Sequence, residues 1–272
     1  MKIGIVFYNM GNLQSVINAF QKVAKEFKRE VKVEIVTEGE RLGEYDRLFL
    51  PGVGAFGDAI AHLNEHNLIE GLQKFAHSGR PLLGVCLGMQ LLFEKSYEFG
   101  EHKGLGLIPG KVVRFNKSAM GKVKKGLNSE GIFLKTDIEK KASNKTVNKE
   151  LDSKKSNLKK LGPEKLEKKR ETIYNQSLNY KIPHMGWNRL FPKIDRYGKV
   201  PPIFKGLEYG PYLYFVHSYH GITDAQFVAG WTYYGYRFLS AIWKDNIYGL
   251  QPHPEKSHSA GLQILYNFLT LP

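Results

Sequence analysis

The sequence is organised around the stretch Pro81-Leu82-Leu83-Gly84-Val85-Cys86-Leu87-Gly88, an apolar run that ends in the pattern G-x-C-x-G. This pattern is typical of a nucleophile elbow, in which a strand leads into a reactive residue and a helix follows it. Glycines on both sides relieve the crowding of such a sharp, strained turn. The helix start also directs N–H groups at the sulfur, which favours a thiolate at Cys86. This context favours a nucleophile over a buried structural cysteine.

Apolar strands and amphipathic helices alternate around this elbow. Asn12 is placed to cap a helix whose apolar residues recur every three or four positions, and the last part of the chain is rich in short aromatic strands. The patterns predict strands at 2–8, 31–36, 48–50, 81–85, 111–115, 180–190, 212–219, 227–234, 239–243 and 247–251, and helices around 59–63, 69–75 and 260–269. Alternation of strands with helices over the first 115 residues predicts βαβ units and a mostly parallel sheet.

The overall composition predicts a globular cytoplasmic protein. The chain is 42% hydrophobic, and no stretch approaches the roughly 18 apolar residues of a membrane span. The N-terminus runs directly into a strand pattern and lacks the features of a signal peptide. A single cysteine excludes an intrachain disulfide, which fits a reducing compartment.

The basic charge of the chain is concentrated in one segment. The formal net charge is +14, but 16 Lys and one Arg against eight acidic residues between Lys117 and Glu171 account for +9 of it. High charge with low hydrophobicity predicts a flexible lysine-rich insertion at about 116–179 in a single domain spanning 1–272. The lysines are not interleaved with aromatic residues, so a nucleic-acid partner is not expected.

A base for the thiol is found near the end of the chain, in Gln251-Pro252-His253-Pro254-Glu255-Lys256-Ser257. Proline after His253 disfavours helical backbone there, and in an extended chain His253 and Glu255 lie on the same side. A cysteine nucleophile requires a base, and the base requires a group that orients it. These two residues supply both roles.

A glycine-rich loop, Pro51-Gly52-Val53-Gly54, follows the predicted strand at 48–50. Such loops also bind phosphate, so the fragment alone is weak evidence. Beside a cysteine nucleophile it is better interpreted as an oxyanion loop whose N–H groups stabilise a tetrahedral intermediate. The N–H of Leu87, directly after the nucleophile, is the natural second donor.

Together these motifs resemble the class I glutamine amidotransferases. More narrowly, the chain is similar to the glutaminase subunits of imidazole glycerol phosphate synthase, over residues 1–115 and 180–272. The narrowing motifs are Tyr8-Asn9-Met10-Gly11-Asn12, Pro51-Gly52-Val53-Gly54-Ala55-Phe56, Pro183-His184-Met185-Gly186-Trp187-Asn188 and Tyr214-Phe215-Val216-His217-Ser218-Tyr219. The resemblance implies an α/β, flavodoxin-like three-layer fold with a mostly parallel central sheet, interrupted here by the insertion.

The resemblance also implies specific roles for individual residues. Cys86 would be the nucleophile, His253 the base and acid, and Glu255 its orienting carboxylate. The residues implied to hold L-glutamine are Gly54, Gln90, Glu94, His217, Ser218 and Tyr219. A (β/α)₈-barrel cyclase subunit of histidine biosynthesis is implied as the partner in a heterodimer, with Met185, Trp187 and Lys256 facing it. No metal and no organic cofactor are expected.

Two departures from the family pattern are visible. Pro252 stands where an aromatic residue usually precedes the base, and the insertion replaces a short connection. Three alternatives remain open: a glutaminase of the same type that serves another acceptor, such as a sugar amidation system; a cysteine peptidase on the same elbow; and a basic nucleic-acid binding module. Release of glutamate from free glutamine distinguishes the amidotransferase from the last two.

Overall fold

The computed structural model describes residues 1–120, 180–195 and 197–272. The chain divides into two compact units, Met1–Lys117 with Lys181–Pro272, and Ser118–Tyr180. The lysine-rich insertion expected at about 116–179 lies outside the described residues, apart from 116–120. All strands and α-helices given below belong to the first unit.

The predicted strands and helices occur in the expected order, with further strands among them. The strands are β1 (Lys2–Val6), β2 (Lys32–Val36), β3 (Arg47–Leu50), β4 (Leu82–Val85), β5 (Phe93–Ser96), β6 (His102–Lys103), β7 (Ile108–Arg114), β8 (His184–Pro192), β9 (Tyr212–His217), β10 (Tyr219–Ile222), β11 (Val228–Tyr234), β12 (Tyr236–Lys244) and β13 (Ile247–Leu250). The helices are α1 (Leu13–Glu26), α2 (Phe56–Glu65), α3 (Leu68–His77), α4 (Leu87–Leu91) and α5 (His258–Thr270).

A nine-stranded sheet forms the centre of this unit, in the order β2-β1-β3-β4-β13-β12-β11-β8-β9. The first five strands of that order are parallel, and the remaining four are antiparallel to their neighbours. The α/β fold class with a parallel core is therefore confirmed. Since β4 and β13 are adjacent, the residues that follow them, Cys86 and Gln251, leave the same edge of the sheet.

Helices cover both faces of the parallel core because side chains alternate along each strand. On β3, Leu48 and Leu50 belong to the apolar core that also contains side chains of α2 and α3. Phe49 points the other way, and its ring meets Phe20 of α1 edge-on at 5.4 Å between centroids. The ring centroids of Phe20 and Phe268 are 6.3 Å apart, so α5 packs on the same face of the sheet as α1.

A second sheet has four strands, in the order β10-β7-β5-β6. The pattern at 212–219 predicts one strand, but the structure has two, which separate at Ser218: β9 pairs with β8 in the large sheet and β10 pairs with β7 in the small one. The sequence patterns did not predict β5 and β6. Within the described ranges, no helix has the length and apolar character needed to cross a membrane.

Candidate active site

Cys86 lies at the tight turn between β4 and α4. Its backbone has φ 55° and ψ −111°, which is unusual for a non-glycine residue, and its N–H donates to Leu250 O at 2.7 Å. Gly88 packs directly on β3: a Cβ there would lie 1.9 Å from Leu50 O, far inside contact distance. The crowded, strained turn predicted from G-x-C-x-G is thus present, and the helix starts one residue after the cysteine.

The start of α4 supplies free N–H groups beside the sulfur. The first hydrogen bond within the helix runs from Gln90 N to Cys86 O at 3.1 Å, so the N–H groups of Leu87 and Gly88 have no partner inside the helix. Cys86 is 7% exposed, and its Sγ lies 3.8 Å from Val216 O, to which a thiol S–H donates. A thiolate loses that bond and relies on donors around it.

His253 and Glu255 form a buried pair. The His253 Nδ1 and Glu255 Oε1 atoms are 2.7 Å apart, and the two side chains are only 4% and 5% exposed. His253 has φ −97° and ψ 97°, the extended backbone expected from the following proline. With Nδ1–H donating to the carboxylate, Nε2 is the buried ring nitrogen left to interact with Cys86. This is the nitrogen that exchanges a proton in a cysteine–histidine mechanism.

The charges around His253 favour the imidazolium. Burial by itself lowers the pKa of His253, but the negative charges of Cys86 and Glu255 outweigh it and raise that pKa to about 10. Because Cys86 is one of the groups that raise this pKa, the sulfur and the imidazole interact electrostatically. An imidazolium beside a thiolate is the resting state that a cysteine nucleophile requires.

The predicted oxyanion loop lies against the start of α4. A Cβ at Gly52 would lie 2.9 Å from Gly88 N and 2.5 Å from the Tyr8 hydroxyl, so only glycine allows this approach. Tyr8 donates its O–H to Pro51 O at 2.7 Å, and this buried hydrogen bond fixes the start of the loop. Burial, reinforced by the negative charge of Cys86, raises the pKa of Tyr8 well above its usual value, which keeps this donor protonated.

The loop continues towards α2. Val53 is exposed, and Gly54 has φ +104°, a conformation that favours glycine. The structure places Gly52 against the residue that follows the nucleophile: a Cβ at Gly52 would lie 2.9 Å from the Cβ of Leu87. The oxyanion role itself stays a prediction.

Several predicted glutamine-binding residues meet at one backbone carbonyl. Tyr219 O accepts from Gln90 Nε2 at 3.1 Å and lies 2.8 Å from His217 Nδ1. His217 Nε2 lies 3.0 Å from His184 Nδ1, so both ring nitrogens of His217 are already engaged inside the protein. Ser218 also uses its backbone, accepting from Phe115 N at 3.1 Å.

The histidine pair at this position is neutral. Burial, together with the neighbouring histidines, lowers the pKa of His217 well below its usual value, and burial lowers that of His184 to about 4. Asn188 Nδ2 lies 3.1 Å from His184 Nε2, which fixes that nitrogen as an acceptor. Each ring therefore carries its proton on Nδ1.

The structure does not bring Glu94 into this group. Its exposed carboxylate accepts from Gly110 N at 2.8 Å on the small sheet. Glu98, which the sequence analysis did not select, is buried and accepts from Phe56 N at 2.8 Å, directly after the oxyanion loop. Burial raises the pKa of Glu98, although the Phe56 N–H opposes this. Of these two carboxylates, Glu98 is the one that lies beside the glycine-rich loop.

The residues predicted to face a partner lie together near His253. Met185 and Trp187 of β8 are 62% and 47% exposed. Trp187 is paired with Tyr214 across β8 and β9, and Lys256 Nζ lies 5.9 Å from the Tyr214 ring. Tyr214 O in turn accepts from His253 N at 2.9 Å. An exposed aromatic patch is thus connected directly to the backbone of the predicted base.

This fold and site are those of a class of cysteine enzymes. The family model of class-I glutamine amidotransferases matches residues 8–271. The chain belongs to this family, and the proteins most informative about its place there are named imidazole glycerol phosphate synthase subunit HisH. One from Wolinella succinogenes is 46% identical over 267 residues, covering 98% of each chain. Another from Sulfurimonas denitrificans is 45% identical over 269 residues, covering 98% of this chain and 96% of its own.

Solved structures support the fold alone. A crystal structure of a glutamine amidotransferase has a TM-score of 0.56 at 12% identity, covering 97% of this chain and 96% of its own. A glutamine amidotransferase from Thermotoga maritima has a TM-score of 0.51, also at 12% identity, covering 99% and 96%. The match to the Wolinella protein leaves out only a few residues of either chain.

Proposed function

We propose that this chain is the glutaminase subunit of an imidazole glycerol phosphate synthase. It hydrolyses L-glutamine to glutamate and ammonia at Cys86 and delivers the ammonia to a (β/α)₈-barrel cyclase subunit in histidine biosynthesis. The observation that carries the proposal is the convergence of a strained cysteine elbow with the buried His253–Glu255 pair. The names of the full-length relatives support the choice of this synthase.

The first half of the reaction forms a thioester. The Cys86 thiolate attacks the carboxamide carbon of glutamine, and the carbonyl oxygen takes up negative charge. The N–H of Leu87 and the loop at Gly52 and Val53 are the donors for that oxyanion. His253 gives its Nε2 proton to the departing nitrogen, so ammonia leaves as the carbon–nitrogen bond breaks.

The second half releases glutamate. Neutral His253 takes a proton from a water molecule, which attacks the thioester carbon, and the carbon–sulfur bond breaks to regenerate the thiolate. Glu255 holds the imidazole through Nδ1 and stabilises its positive charge in both halves. The buried Oε2 of Glu255 has no partner in the structure, so the carboxylate's charge is little shielded from the ring.

The exposed patch of Met185, Trp187 and Lys256 is the proposed docking face for the cyclase. Exposed Trp and Met side chains are typical anchors of protein interfaces. Trp187 also stacks on His258, with ring centroids 5.0 Å apart, so the patch is preorganised. Since Tyr214 links this patch to the His253 backbone, a partner bound here covers the surface next to the site where ammonia forms.

A direct experiment tests the nucleophile. Cys86→Ala should abolish release of glutamate from glutamine while leaving the fold and binding of the cyclase intact, because only one small side chain is lost. Cys86→Ser should also be nearly inactive, since a hydroxyl ionises far less readily than a thiol. Substantial turnover by either variant would remove Cys86 from this role.

A matched pair of substitutions tests the docking face. Trp187→Ala should weaken binding of the cyclase subunit of the same organism at least tenfold, as expected for an aromatic anchor. Trp243→Ala removes the same side chain from β12, where Trp243 stacks on Tyr248 at the far end of β13 from Gln251. Equal weakening by both variants, measured by calorimetry, would refute the assignment of the face.

A further inference from the structure

A fully buried amide side chain lies beside the nucleophile. Gln251 is 0% exposed, and its Nε2 donates to Cys86 Sγ at 3.8 Å, within the range of hydrogen bonds to sulfur. The residue follows β13 and lies two positions before His253. It has no role in the mechanism derived above.

The orientation of this amide is fixed by its neighbours. Gln90 Nε2 donates to the Tyr219 backbone carbonyl at 3.1 Å, so this end of the Gln90 amide must be the N–H₂ group. The same Nε2 donates to Gln251 Oε1 at 3.1 Å, which makes that end of Gln251 the acceptor. The N–H₂ end of Gln251 is therefore the one that faces the sulfur.

The backbone of Gln251 is held as firmly as its side chain. Gln251 N donates to Ser240 O at 2.9 Å on the adjacent strand β12. On the other side of Gln251, Cys86 N donates to Leu250 O at 2.7 Å. The donor and the sulfur are thus attached to two neighbouring strands whose hydrogen bonds fix their separation.

Apart from His253, whose pKa Cys86 raises, two further groups contact the sulfur, and they act in opposite directions. Val216 O accepts from a thiol and repels a thiolate, whereas an N–H from Gln251 stabilises a thiolate. Because α4 has only five residues, its dipole contributes less than that of a long helix. We propose that Gln251 is a positioning residue that holds Cys86 as a reactive thiolate, with Gln90 fixing its amide. This inference rests on the proposed role of Cys86 as the nucleophile.

The single cysteine of the chain makes the test specific. The rate of alkylation by iodoacetamide, measured on the acidic limb of its pH profile where the rate still rises with pH, reports on Cys86 alone, without any need for glutamine turnover. Gln251→Met keeps the length of the side chain and removes the donor. Alkylation should slow by about tenfold, the effect of losing one hydrogen bond to a charged group. Gln251→Glu, which adds a negative charge beside the sulfur, should slow it further.

Steady-state kinetics separates this role from substrate binding. Since Gln251 is inaccessible to glutamine, Gln251→Met should lower kcat, measured at the pH of the alkylation assay, about as much as it lowers alkylation, and leave KM within twofold. Asn267→Leu is the matched control: it removes another buried amide, which donates to Ile203 O and Lys205 O from α5. If Asn267→Leu lowers the melting temperature about as much as Gln251→Met does, its cysteine should still be alkylated at the wild-type rate.

Each outcome decides the inference. If folded Gln251→Met were alkylated at the wild-type rate, the inferred role of Gln251 would be overturned. If Cys86→Ala were inactive in the same series of assays, the proposed function would still stand. If Gln251→Met and Gln251→Glu both fail to fold, NMR of the wild-type chain tests the contact instead. The side-chain N–H₂ resonances of Gln251 should shift between the wild type and Cys86→Ala, whereas unchanged resonances would refute contact with the sulfur.

Discussion

Glu255→Gln is the most informative single substitution in the proposed site. It keeps the shape of the side chain and an oxygen at the position that accepts from His253 Nδ1, 2.7 Å away, but it removes the negative charge. The buried Oε2 already lacks a partner, so replacing it with an equally unpaired N–H₂ group exchanges one unsatisfied group for another. The substitution should therefore change chemistry more than stability.

The expected loss follows from the type of hydrogen bond. A buried hydrogen bond to a charged group is worth roughly 1.5–3 kcal/mol, which converts to about 10- to 150-fold in kcat. The negative charge of Glu255 is one of the causes that raise the pKa of His253 to about 10. Its removal should lower that pKa, so the alkaline decline of activity moves to lower pH in the variant.

Glutamine hydrolysis is best measured with the cyclase bound, from pH 6 to 10, alongside thermal unfolding of both proteins. A kcat within threefold of the wild type and an unchanged pH profile would refute the orienting role of Glu255. A large drop in melting temperature, with a normal kcat for the protein that remains folded, would instead make Glu255 a structural residue.

Three further predictions concern the base, the neutral histidines and the insertion. His253→Asn should lower kcat by roughly 10²–10⁴, more than Glu255→Gln, because the group that moves the proton is lost; similar losses in the two variants would contradict this order. Between pH 6.5 and about 4, His184 is protonated in the unfolded chain but neutral in the folded protein. The free energy of unfolding should therefore fall as the pH drops through that range. Urea unfolding should show this slope and His184→Asn should reduce it. Replacing about 117–178 with a short Gly/Ser linker should leave a folded, active glutaminase, because every candidate site residue lies outside that segment; loss of glutamate release would show that the segment serves the site.

The local chemistry of the site was predictable because it is encoded in contiguous residues. The strain at Cys86 follows from glycines two positions to either side, and the extended backbone of His253 follows from Pro254. The parallel core was predictable from the same kind of local pattern. In these cases neighbouring residues restrict the backbone whatever lies further along the chain.

Features that depend on distant residues were not predictable in this way. Gln251 meets Gln90 from 161 positions away, and no periodicity indicates that contact. Glu94 lies on β5 and Glu98 just beyond its end, and only their distant partners, Gly110 and Phe56, distinguish them. The strand β5 was not predicted because Leu91-Leu92-Phe93 continues the apolar pattern of the preceding helix. The division of 212–219 at Ser218 depends on which strands pair with each half.

The backbone of Cys86 has a consequence for the evolution of the chain. A non-glycine residue at φ 55° and ψ −111° costs about 1–3 kcal/mol, and alanine would keep that cost because it retains a Cβ. Only glycine relieves it, so Cys86→Gly should melt higher than both the wild type and Cys86→Ala, despite the greater freedom of glycine in the unfolded chain. Selection for activity thus holds this position away from its most stable residue. A descendant released from the need to hydrolyse glutamine would drift towards glycine here, and glycine at this position in a relative would mark a lost glutaminase.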